Sequence, residues 1–100
     1  MKNDIAKSIL KKHEEIYQIL KSFTHPIRIK ILCQLLLEEE KNVSQLTGFC
    51  QISQSAMSQF LSRMKMEGIL TSRRERTNVY YKIHDPKSIK LIRAIKEIYC

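Results

Sequence analysis

Between Ser53 and Ile83 two periodicities follow one another without a linker: a helical one that stops at Gly68, then two short runs of β-branched and aromatic residues around a polar turn. Met57, Leu61 and Met64 recur at i, i+4 and i+7, so the helix capped by Ser53 turns one face toward a core. Leu70 to Arg74 and Val79 to Ile83 predict antiparallel strands joined across Glu75 to Asn78.

The flanking sequence supplies helices. Ile5, Ile9, Leu10, Ile16, Ile19 and Leu20 predict one amphipathic helix from Asp4 to about Leu20. Ser22 to Pro26 interrupts it, because proline suits the first turn of a new helix and disfavours helix in the residue before it. The next helix, from about Pro26 to Glu38, is apolar around much of its circumference and is expected at the centre of the core. Asn42 or Ser44 can cap a short helix around Leu46, with Gly48 placed to end it in the left-handed conformation. Asp85-Pro86 opens a last helix with a stripe of Ile89, Leu91, Ile92, Ile95, Ile98 and Tyr99. The expected fold is mainly α with a β-hairpin wing, a winged helix-turn-helix of order ααααββα, in a single domain over residues 1–100. Both terminal helices carry more apolar surface than a monomer of this size needs, and a symmetric homodimer through them would set two reading helices about 34 Å apart.

Charge narrows the partners. Eighteen Lys and Arg against ten Asp and Glu give a formal net charge of +8, which attracts a polyanion. Arg63, Lys65, Arg73, Arg74, Arg76 and Lys82 gather around the proposed reading helix and hairpin, while Glu38, Glu39 and Glu40 form an acidic knot elsewhere. No apolar run approaches the roughly 20 residues of a membrane span. Met1 to Asp4 leads into a polar helix rather than a signal peptide, so no membrane partner and a cytoplasmic location are expected.

The face of the reading helix opposite its core stripe presents Gln54, Ser55, Ser58, Gln59 and Ser62, with Arg63 beside them. Gln pairs bidentately with adenine and Ser meets either donor or acceptor, so the face suits base edges of double-stranded DNA. Arg73, Arg74 and Arg76 can contact phosphate, with Thr77 and Asn78 shaping the wing tip. Tyr80 and Tyr81 alternate, so one is expected to pack inward. No nucleophile, base and phosphate-cradling loop combine, and neither enzyme activity nor a cofactor is expected.

From about Phe23 to Cys100 the chain resembles the ArsR-type winged-helix repressors. The likeness lies in His25-Pro26-Ile27-Arg28-Ile29 with Ile31-Leu32, Gln54 to Leu61, Gly68-Ile69-Leu70 and Tyr80-Tyr81. It departs at Phe60, where the family usually has His next to the DNA. The resemblance implies a homodimer that occupies an operator and leaves when an inducer binds.

Inducer chemistry turns on the ionisable residues. Cys33, Cys50 and Cys100 are three cysteines without close spacing, so each is open to being a buried apolar residue, a metal ligand or a redox sensor. The family's thiolate pattern for arsenic, lead and cadmium is absent near Gln45 to Gly48. Its zinc pattern on the last helix lacks a second His after His84 and Asp85, and His13 and His25 are isolated enough to be surface or capping residues, so no metal site is assigned. Cys33 and Cys100 are similar to the paired cysteines of the BigR, SqrR and HlyU subgroup. That resemblance implies a dithiol that forms a disulfide or polysulfide bridge when a persulfide, polysulfide or oxidant arrives, with Arg28, Lys30 and Lys96 near in sequence to favour thiolate. The alternative is a metal-responsive ArsR-type repressor using cysteine and histidine ligands.

Overall fold

The computed structural model describes residues 1–100. They form α1 (Lys2–Lys11), α2 (His13–Lys21), α3 (Pro26–Leu37), β1 (Lys41–Asn42), α4 (Val43–Cys50), α5 (Gln54–Met66), β2 (Leu70–Glu75), β3 (Asn78–Ile83) and α6 (Pro86–Tyr99). The architecture is a winged helix-turn-helix, mainly α with a small antiparallel sheet of order β1-β3-β2.

Local side chains set most helix ends. His25 Nδ1 accepts the Ile27 N–H at 3.1 Å ahead of α3, and Ser53 Oγ accepts the Ala56 N–H at 3.0 Å ahead of α5. Asp85 does the same for the Lys87 N–H at 3.0 Å, with Pro86 in the first turn of α6. Asn42 and Gln45 exchange two 2.9 Å bonds in a capping box at α4. These bonds satisfy first-turn N–H groups that have no partner inside a helix. Past α5, Gly68 adopts φ 81°. The Ile69 N–H then returns to the Met64 carbonyl and that of Gly68 to Lys65, each at 3.0 Å, a Schellman closure that a left-handed glycine permits.

Four expectations change. The helix expected from Asp4 to Leu20 is broken at Lys12, where φ is −116°. His13 Nδ1–H donates to the Leu10 carbonyl at 2.8 Å, occupying the acceptor that a continuous helix would offer Glu14. The helix before the reading helix runs through Gly48 to Cys50, and the left-handed residue is Gln51, at φ 57°. Burial of both Leu46 and Cys50, four residues apart on one face, carries it past the glycine. A short β1 also appears, Lys41 opposite Tyr81 and Asn42 opposite Tyr80; two residues are too few for a periodicity to show.

Fourth, α3 is central on one side only. Ile31, Leu32 and Leu35 are buried, whereas Ile29, Leu36 and Leu37 are exposed. The core joins those three to Leu46 and Cys50 of α4, Met57, Leu61 and Met64 of α5, and Ile69 and Leu70. At its edge Arg28, 6% exposed, forms a two-pronged ion pair with Glu67 at 2.8 and 3.1 Å. The pair ties the start of α3 to the end of α5. No helix is long and apolar enough to cross a membrane.

Candidate nucleic-acid interface and the three cysteines

The stripe of Met57, Leu61 and Met64 is fully buried. The reverse face of α5 is thereby fixed outward, and Gln54, Ser55, Ser58, Gln59, Ser62 and Arg63 are all exposed. None of these six has a side-chain hydrogen bond or ion pair of its own, so their donors and acceptors are available to a ligand. A cleft of about 860 Å³ runs along this face and is bordered by Gln18 of α2 together with Ser58, Gln59, Ser62 and Arg63. Phe60, at the position of departure from the family pattern, is half-buried; its ring lies 4.9 Å from that of His25 and packs on the core. It therefore props α5 against the start of α3.

The wing stands beside α5. Its strands pair from Leu70 opposite Ile83 to Glu75 opposite Asn78, leaving a two-residue turn of Arg76 and Thr77 with Arg76 at φ 58°. Lys65 Nζ of α5 donates to Ser72 Oγ at 2.7 Å. Arg74, Arg76, Thr77 and Asn78 are exposed, and the two arginines have no acidic partner. Arg73 differs. Its Nε–H contacts both Glu40 carboxylate oxygens, at 3.1 and 2.8 Å, and its Nη1–H donates to Glu75 Oε2 at 2.8 Å. The Arg73 hydrogen bond holds the Glu40 carboxyl below its ordinary range, and the bonds to Glu40 and then Glu75 push the guanidinium further up. Tyr81 packs on the core while Tyr80 lies under Arg73, 4.8 Å from ring centre to guanidinium carbon. The acidic knot read as remote thus reaches the wing through Glu40, and no linear pattern announces that contact.

The cysteines divide by exposure. Cys33 on α3 and Cys100 after α6 are exposed, and Cys50 is buried. Cys33 faces outward despite its apolar sequence neighbours, which rules out an inert core position. Burial pushes the Cys50 thiol up, against an opposing pull from Lys30, so this residue stays protonated and unreactive at neutral pH. Of the basic residues near Cys33 in sequence, Arg28 is committed to Glu67. No three His, Cys, Asp or Glu side chains converge on a point that could hold a metal ion.

Comparison with known proteins agrees with this geometry. Residues 25–72 match the profile described as bacterial regulatory protein, arsR family. The HTH-type transcriptional regulator YgaV of Escherichia coli is 34% identical over 87 residues, which cover 87% of this chain and 88% of that protein. The crystal structure of the transcriptional repressor BigR from Xylella fastidiosa superposes with a TM-score of 0.87 at 28% identity, covering 95% of this chain and 96% of its own. Reduced HlyU from Vibrio cholerae superposes with a TM-score of 0.83 at 29% identity, over 94% of this chain and 98% of its own.

Proposed function

The chain belongs to the ArsR family of bacterial transcriptional regulators, and from that premise we propose that it works as a homodimeric operator-binding repressor released by bridging Cys33 to Cys100. The observation that carries the DNA reading is the outward face of α5, whose Gln54, Ser55, Ser58, Gln59 and Ser62 are exposed beside a wing with two unpaired arginines. Those side chains would read base edges in the major groove, and Arg63, Arg74, Arg76, Thr77 and Asn78 would contact the flanking backbone. One unit of 100 residues would serve both DNA binding and dimerisation.

Dimerisation is supported by apolar surface that the protomer leaves open. Neither α1 nor α2 buries a residue, and α6 buries only Ser88. Ile5, Ile9, Leu10, Leu20, Ile98 and Tyr99 are about half exposed or more. A two-fold pairing of these faces would shelter them and space two α5 helices for adjacent half-sites.

The switch reading is supported by the exposure of Cys33 and Cys100, by the burial of Cys50, and by the likeness to BigR and HlyU. Joining two thiols as a disulfide passes two electrons and two protons to an oxidant. A sulfane-sulfur donor instead supplies both the oxidising equivalents and the inserted atoms of a polysulfide bridge. A direct disulfide requires Cα atoms within about 7 Å, and inserted sulfur spans a longer gap. A bridge that favours another angle between α3 and α6 would misplace the two α5 helices. A thousandfold loss of affinity corresponds to about 4 kcal/mol of differential stabilisation.

The test is a gel-shift titration against upstream DNA, with and without reductant and polysulfide. Cys33→Ser and Cys100→Ser should bind like wild type and fail to release. Normal release by both variants would sink the dithiol assignment and leave the operator reading standing. Native mass spectrometry separates the metal-responsive alternative, which calls for retained metal rather than sulfur-shifted masses.

A further inference from the structure

Three arginines lie on or beside the wing, Arg76 in its turn and Arg73 and Arg74 on opposite faces of the pleated β2. Leu70, Ser72 and Arg74 share one face of the strand, and Thr71, Arg73 and Glu75 share the other. The first face is turned toward α5, since Leu70 is buried in the core and Lys65 of α5 bonds Ser72. The second face looks away from α5. There Arg73 lies over Tyr80, its register partner on β3, and its guanidinium reaches on to Glu40, the residue just before β1, which is the strand on the far side of β3. One side chain thus spans the sheet from β2 across β3 to the end of the α3–β1 connection.

We infer that Arg73 is a positioning residue that clamps the wing to the α3–β1 connection through Glu40 and Tyr80, and that the wing's phosphate contacts fall to Arg74 and Arg76. The inference rests on the operator-binding reading above. To meet a phosphate, Arg73 would have to leave two carboxylates, with only Lys82 beside Glu40 left to offset them next to a polyanion. Kept in place, the guanidinium offsets one of their two charges and fixes the angle of the hairpin. Because Glu40 lies only three residues past the end of α3, the clamp also ties the wing to the connection that leaves the helix carrying Cys33.

The two roles predict opposite signs for one substitution. Removing a competitor for a phosphate-binding arginine tightens DNA binding, whereas removing one jaw of a clamp weakens it. The experiment is fluorescence anisotropy with a labelled duplex of the upstream sequence that wild type selects, titrated at several salt concentrations. Arg73→Ala, Arg73→Lys and Glu40→Gln should each weaken binding about threefold to fivefold, the range of an exposed but multiply bonded ion pair. Their salt slopes should match wild type, and the Arg73→Ala/Glu40→Gln double variant should be no weaker than the worse single. Arg74→Ala is the contrast, losing about 0.9 from the slope. Arg73→Lys keeps the charge but loses the planar fork that holds Glu40 and Glu75, and its weakening is assigned to the clamp only where Glu40→Gln, which leaves the arginine in place, weakens binding as well. A flattened slope for Arg73→Ala, or unchanged or tighter binding by Glu40→Gln, overturns the inference and leaves the operator reading intact. Failure of wild type to bind any duplex overturns both.

Discussion

Arg28 stands between two isoleucines in a mostly apolar helix, and the fold answers its charge with Glu67 from the far end of α5. Such a pair adds little when whole and costs much when halved, because the surviving charge stays in a low-dielectric pocket. Glu67→Gln and Arg28→Ala should each lower unfolding free energy by about 3–5 kcal/mol, read from urea midpoints. At the surface the expectation is different: Arg76→Ala should leave stability unchanged and reduce the salt slope of DNA binding by about 0.9. Cys50 gives a pH signature. Its buried thiol holds the proton more tightly folded than unfolded, so its contribution is complete below the unfolded value near 8.5 and declines as pH rises beyond it. Cys50→Ala should remove that part of the alkaline loss in urea melts between pH 7.5 and 10. In native wild type, iodoacetamide should label Cys33 and Cys100 well before Cys50, as peptide mass spectrometry would show. The outward Gln54, Ser55, Ser58, Gln59 and Ser62 were legible because the helical period that sends Met57, Leu61 and Met64 inward fixes them. The partners of Arg73 were not, since Glu40 lies 33 positions away and only the sheet brings them together.

Helix ends chosen by short polar residues and glycine could be read from sequence, because a cap is settled within four residues. Ser53, Asn42, Asp85 and Gly68 all act where their chemistry places them. Asn42→Ala, which opens the capping box of α4, should cost about 1 kcal/mol, and Gly68→Ala about 1–2 kcal/mol because an L side chain must enter the left-handed region. Thermal melts of the two variants check both. The break at Lys12, the continuation of α4 to Cys50 and the existence of β1 were not legible. Each depends on a partner that wins against local preference: the His13 ring, the burial of Cys50, and the exposed edge of β3.

With extents of 52 × 28 × 21 Å and a radius of gyration of 15.1 Å, the protomer is more drawn out than the about 13 Å of a typical 100-residue domain. Its α1 and α2 bury no residue fully within the chain, and only Ile16 and Ile19 among their apolar residues are half-buried. Under the proposed pairing, Ile9→Glu together with Ile98→Glu should shift sedimentation to the monomer and abolish tight operator binding. Unfolding of the α3–α5 core should stay cooperative by near-ultraviolet circular dichroism. An arm that is buttressed only by a second copy has a further outcome. At low abundance it would be the first part of the chain open to proteases, so the cellular dose of the regulator would set both its lifetime and the level at which its genes fall silent.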